Sequence, residues 1–150
     1  MEQQMRELDK AAASLHMELI PIGVVDPSGF DTAISHVKKQ RANGLISLSS
    51  PFFNIYRDRI LKVGRDSRLP AIYPQEFAEA GGLMSYGTSY PALFRRAAVY
   101  ADKILRGASP RNLPVEQSTK FELVINLRTA KQIGLTIPPN VLARADRVIR

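Results

Sequence analysis

Short apolar segments at 17–25, 44–50, 69–73 and 83–86 alternate with stretches whose apolar residues recur every three or four positions. That alternation constrains the fold most, because strands separated by helices build a parallel sheet with right-handed crossovers and helices on both faces. Residues 2–15 place Met5, Leu8, Ala12 and Leu15 at helical spacing, and MELIPIGVV at 17–25 reads as a strand made irregular by Pro21. Asp26, Pro27 and Ser28 start a helix carrying Phe30, Ile34 and Val37, which Asn43-Gly44 ends before the strand GLISLSS. Ser50-Pro51 opens the next helix, with Phe53, Tyr56, Ile60 and Val63 on one face. The strand LPAIY, a helical turn at 75–80, Gly81-Gly82 and the strand LMSY follow. Pro91 then opens a long helix on which Leu93, Ala97, Tyr100 and Ile104 make the expected buried stripe. The pattern predicts an α/β three-layer sandwich with a mainly parallel sheet. From Ala108 the character changes: ASPRNLP is a connection, VEQSTKFELVINL is extended, and RTAKQIGL with PPNVLARADRVI reads as two short helices appended to the sheet.

Several functions lack support in the sequence. The 21 Lys and Arg against 14 Asp and Glu give a net charge of +7. These basic residues are scattered over several helices rather than gathered into one arm, so they read as solvated faces and not as a nucleic-acid site. Without cysteine there is no disulfide and no thiolate nucleophile or metal ligand. Neither G-x-G-x-x-G nor G-x-x-x-x-G-K-[ST] occurs, so no nucleotide cofactor is indicated. His16 and His36 have no carboxylate or second histidine at metal-ligand spacing, and packing or surface roles are expected for both. The start, EQQMRELDK, is charged and has no signal-peptide core, and no apolar run is long enough to span a bilayer.

What remains is a ligand site at strand ends. In open parallel sheets ligands sit beyond the carboxyl ends of the strands. The turns Ser47 to Phe53 and Tyr73 to Phe77 each leave a strand and enter a helix or helical turn, which aims free backbone N–H groups at an anion such as a carboxylate. Ser49 and Ser50 add hydroxyl donors there. Glu76 suits a ligand ammonium, Tyr73, Tyr86 and Phe53 suit a flat ligand, and Ser85 lies on the same strand end as Tyr86. The plainer alternatives are that Ser50 only caps its helix, that Glu76 only balances a helix start, and that Tyr86 and Phe53 only pack. No complete set of nucleophile, base and oxyanion donors accompanies these residues, so binding rather than catalysis is expected.

The strings EAGGLMSYG at 79–87, LPVEQSTKFELVINL at 113–127 and GLTIPP at 134–139, in that order, resemble the carboxyl-terminal half of the ABC-transporter substrate-binding protein family that includes aromatic-amino-acid-type members. The resemblance runs over nearly the whole chain. It implies a periplasmic-binding-protein-like fold of type I with two α/β lobes, a small ligand such as an amino acid closed between them, ABC permease subunits as partners and a periplasmic location. Its ligand-facing segments fall at Ser49 to Phe53, Tyr73 to Glu76 and Ser85 to Tyr86. It also implies that the amino-terminal lobe, a first strand and the signal sequence are absent from this chain, which made alone would stay in the cytoplasm. On that basis residues 1–112 are expected to form a ligand-binding lobe. Residues 113–150 are expected to be a hinge-crossing strand and helices that lean on the other lobe, or else to fold back on the sheet or exchange in a swapped homodimer. The effector-sensing domain of a transcriptional regulator shares this fold and is the alternative. A flavodoxin-like or nucleotide-using enzyme is the third reading, without motif support.

Overall fold

The computed structural model describes residues 2–117 and 120–150 and divides the chain into two compact units, residues 1–42 and 43–150. Ser118 and Thr119, inside the expected extended segment, lie outside the described residues. The first unit contains helix α1 (Glu2–Ser14), which buries none of its residues, and helix α2 (Gly29–Lys39), which buries Phe30, Ala33 and Val37. Helix α2 starts where expected. The Asp26 carboxylate accepts from the Ser28 hydroxyl at 2.5 Å and from the backbone N–H of Ser28 at 2.8 Å and of Gly29 at 3.2 Å. Those bonds, the Ser28 hydroxyl first, lower its pKa. The strand expected at 17–25 is absent: the segment is irregular, and Pro21 within it offers no N–H to a ladder.

The second unit holds a five-stranded sheet in the order β1 (Leu45–Ile46), β2 (Ala71–Tyr73), β3 (Met84–Thr88), β4 (Phe121–Asn126) and β5 (Arg147–Ile149). All neighbouring strands pair in parallel except β3 and β4, which run antiparallel. Between β1 and β2 the expected single helix is two, α3 (Pro51–Ile55) and α4 (Arg57–Asp66), because the backbone at Tyr56 leaves the helical region at φ −101°, ψ 34°. Helix α4 buries Ile60, Leu61, Val63 and Gly64. Between β2 and β3 no helix forms. Residues 74–82 make a compact turn whose Phe77 and Ala78 are buried.

Strand β4 lies beside β3, and α6 (Leu127–Ile133), α7 (Pro139–Leu142) and β5 complete this half of the sheet. The segment Arg147–Ile149, expected to be helical, is β5. Its start is fixed by Asp146, whose carboxylate accepts from Leu123 N–H at 2.8 Å while its own N–H donates to Leu123 O at 2.9 Å. Helix α6 ends on Gly134 in the left-handed conformation (φ 75°), with Leu135 N–H donating to Ala130 O at 2.9 Å. Ile125, Ala130, Ile137 and Leu83 form a buried cluster with Met84, Leu123, Ile133, Leu135, Val141 and Leu142 around it. The apolar residues of 121–142 are thus largely used inside this unit. The long helix α5 (Tyr90–Leu105) behaves differently, because its expected buried stripe is not buried at any position.

One helix position sets how closely α4 approaches the sheet. A Cβ added at Gly64 would stand 2.3 Å from the Tyr73 hydroxyl oxygen and 3.2 Å from the Ala71 Cβ. Alanine in a helix interior is ordinarily worth about 1 kcal/mol over glycine. Overpacking against a buried ring costs roughly 1–3 kcal/mol, so the clash wins. Gly64→Ala is expected to lower the unfolding free energy, and Tyr73→Phe in the same chain to recover part of the loss; urea denaturation of the two single variants and the double variant checks this.

Candidate functional site

Strands β1, β2 and β3 are parallel, so their carboxyl ends lie along one edge of the sheet, spread over roughly 10 Å at the usual strand spacing. The ladder continues past β1, with Ser47 N–H donating to Ile72 O at 3.0 Å. Because β4 is antiparallel, its first residue comes to the same edge, where Phe121 pairs with Thr88. The sequence-predicted residues divide along this edge.

Tyr73 and Ser85 are register partners and point to the same face of the sheet, as does Val124 opposite Ser85. Both are core residues, 3% and 1% exposed. The Tyr73 ring stacks on Phe77 with centroids 5.7 Å apart and planes 12° apart. Burial pushes its hydroxyl pKa up to about 12, opposed weakly by the Arg65 charge. Alternation places Tyr73 on the same face as the buried Ala71, two residues earlier, which is the signal that identifies it as core. In this structure neither Tyr73 nor Ser85 faces the edge with the exposed candidates.

The other five are accessible in whole or in part. Ser49 and Glu76 are exposed, and Ser50 and Phe53 are half-buried. Ser50 has the extended backbone of an N-cap (φ −152°, ψ 137°), yet its side chain makes no cap hydrogen bond, so capping does not account for it. Phe53 contacts Phe52 in a tilted arrangement at 5.8 Å. Glu76 is not in a helix start as expected. It sits at the tip of the 74–82 turn with φ 65°, a left-handed conformation that costs a side chain about 1–3 kcal/mol and concentrates at ligand sites.

Tyr86 is 54% exposed and stacks on Phe121, 48% exposed, with centroids 5.7 Å apart and planes 19° apart. Phe121 was not among the residues the sequence nominated. It joins Tyr86 only because β4 returns antiparallel, which periodicity does not reveal. Gln75 lies over Gly87: a Cβ built there would be 3.5 Å from the Gln75 Cγ, N and Oε1.

The turn bearing Gln75 and Glu76 is held from beneath. The Asn126 side chain accepts from Arg128 N–H at 3.0 Å and Thr129 N–H at 3.2 Å, capping α6, and its amide donates to Ala78 O at 2.9 Å. The Thr129 hydroxyl donates to Gly81 O at 3.0 Å, and Arg147 forms an ion pair with Glu79. The edge therefore offers a carboxylate, two serine hydroxyls and an exposed aromatic plate on a fixed frame. Such a set suits a small ligand that has both charged and flat apolar parts.

Comparison with known proteins places this geometry in context. The sequence profile of the family described as ABC transporter substrate binding protein matches residues 1–149. No curated protein matches the chain. Among solved structures, a conserved domain protein from Vibrio cholerae is similar with TM-score 0.82 and 24% identity, over 97% of this chain and 49% of that one. An ABC domain from Streptococcus pneumoniae in complex with L-Trp is similar with TM-score 0.82 and 22% identity, over 99% of this chain and 50% of that one. A ligand-free, open substrate binding protein with adhesive properties from Clostridium difficile gives 0.72 and 21%, over 99% and 50%. The chain spans about half the length of these structures, and at such identities the likeness speaks for the fold.

The assignment of Tyr73 to the core has a consequence in alkali. Its hydroxyl pKa in the folded protein, about 12, lies above the ordinary value of 10. Stability from the neutral phenol is therefore complete below pH 10 and is lost as pH rises toward 12, by about 2–3 kcal/mol. Tyr73→Phe is expected to unfold less steeply with pH between 10 and 12 than the unmodified chain, measured by circular dichroism at fixed urea.

Proposed function

Because the chain belongs to the ABC transporter substrate binding protein family, we propose that it supplies one wall of a cleft that binds a small organic ligand, an amino acid or related carboxylate, for an ABC importer. The observation that carries this reading is the exposed Tyr86–Phe121 stack at the strand ends, beside the Gln75–Glu76 turn. An exposed, stacked aromatic pair costs apolar area in water unless something covers it, and a flat side chain or ring does so with favourable stacking.

In this reading Glu76 faces the ligand ammonium, Ser49 and Ser50 meet its polar end, and Tyr86 with Phe121 holds its apolar part. Tyr73 and Ser85 act from below as packing and leave the ligand-facing set. The L-Trp complex of the similar Streptococcus pneumoniae structure supports an aromatic amino acid as the first ligand to try. Binding without catalysis, an extracytoplasmic place of work and permease subunits as partners go with the family role. The chain matches half of each similar structure, so the opposite wall belongs to a second lobe.

The chain contains no tryptophan, so the fluorescence of added L-tryptophan reports its binding directly. Anisotropy is expected to rise on titration with the chain. Tyr86→Ala and Phe121→Ala are each expected to weaken binding by about 2–10-fold, the range of one stacking contact, with little change in the thermal midpoint since both rings are half exposed. Unchanged affinity in both variants, or no binding of tryptophan, tyrosine or phenylalanine at millimolar concentration, would remove the support for this site.

A further inference from the structure

Helix α5 leaves the sheet directly after β3, and the chain returns directly before β4. Thr88 pairs with Phe121, and Ser89 N–H donates to Lys120 O at 3.1 Å. Residues 89–120 are therefore one excursion from the edge that carries the candidate site, with its two legs side by side. One flank of α5 is occupied by this excursion itself. Arg96 pairs with Glu116, the Tyr100 hydroxyl donates to Pro114 O at 2.6 Å, and the Arg96 and Lys103 charges lie 5.2 and 5.8 Å from the Tyr100 ring centre.

Another flank is bare. Tyr90, Phe94, Ala97, Ala101, Ile104 and Leu105 fall within roughly a third of the helix circumference at 3.6 residues per turn, and none of them is charged. Phe94 is 73% exposed and Leu105 87%. A continuous apolar stripe of this width is what a helix shows on a buried face, and contiguous exposed apolar area marks an interaction surface. The similar structures say what is available to cover it. They match 97–99% of this chain, α5 included, and are about twice as long, so chains that carry this helix carry a further body of about equal size.

We propose that the bare flank of α5 is the seat of a second α/β lobe of the same polypeptide, docked through Phe94 and Leu105 onto an apolar face of that lobe. The inference rests on the two-lobed reading of the preceding section and adds to it which element of this chain makes the contact. It assigns that contact to α5, where the sequence pattern had assigned it to residues 113–150, whose apolar side chains from Leu123 to Leu142 are used within their own unit.

Hydrogen exchange tests this on two proteins, the 150-residue chain and the natural polypeptide that carries these residues with all its flanking sequence. The amides of residues 93–105 are expected to exchange at least about 100-fold more slowly in the longer polypeptide, the difference between a bare and a docked helix. Phe94→Asp with Leu105→Ser should abolish that protection while the β4 amides stay protected. Equal exchange of α5 in the two proteins would overturn the proposal. So would a natural polypeptide that ends with these 150 residues, or a 150-residue chain that light scattering shows to be a dimer with α5 already protected. Tryptophan binding, measured on the same samples, reports on the ligand site separately: lost binding with α5 protected counts against the site and leaves the docking contact standing.

Discussion

The carboxamide of Asn126 is the contact on which the edge of the sheet depends. It stands at the junction of β4 and α6, buried, and serves both neighbours: its oxygen takes the first free N–H groups of α6 and its nitrogen reaches the carbonyl of Ala78. A helix start left without a cap loses about 1 kcal/mol, and a buried carbonyl left without a donor about 1–3 kcal/mol. One side chain therefore couples the half of the sheet built by β4, α6 and β5 to the turn between β2 and β3. With Thr129 bonded to Gly81 O, the turn is held at two points below Glu76.

That coupling explains how a connection of about ten residues joins two adjacent parallel strands, a task usually given to a longer crossover. Phe77 and Ala78 go into the core, Gly81 takes φ 99°, and Glu76 is left at the tip in a left-handed conformation with its side chain exposed. The cost of that backbone is offset by the buried part of the turn and its two side-chain anchors. The strand ends then present polar groups and an aromatic pair from fixed positions, as ligand recognition requires. The same edge sends out α5 and takes back β4, so the recognition surface and the bare helix are neighbours along the chain for one topological reason: the switch from parallel to antiparallel between β3 and β4.

Much of this was legible in the residue pattern. The strands at 45–46, 71–73 and 84–88, the helices at 29–39, 57–66 and 90–105, and the Gly134 terminus follow from periodicity and capping. The misses have identifiable causes. Residues 17–25 are apolar enough for a strand, but a strand requires a ladder and Pro21 gives none. The stripe on α5 has the spacing of a buried face, and spacing does not say whether the covering surface belongs to the same unit. Arg147–Ile149 has helical-looking neighbours, and it is the reciprocal bonding of Asp146 with Leu123, distant in sequence, that makes it a strand. At the site, Glu76, Ser49 and Tyr86 were found by their place at strand ends. Phe121 required the antiparallel return of β4, and Tyr73 was drawn into the set by its chemistry although its parity with Ala71 marks it as core.

The central physical claim is that Asn126 fixes the turn that carries the candidate site, and denaturant unfolding of Asn126 variants tests it most directly. Asn126→Ala removes the cap and leaves the Ala78 carbonyl unsatisfied, so the account predicts a loss of about 2–4 kcal/mol. Asn126→Ser keeps a capping oxygen and should recover about half of that loss. It should leave the amides of residues 78–82 faster to exchange than in the unmodified chain. A loss no larger than the ~0.5 kcal/mol of an ordinary surface substitution, with exchange at 78–82 unchanged, would contradict it.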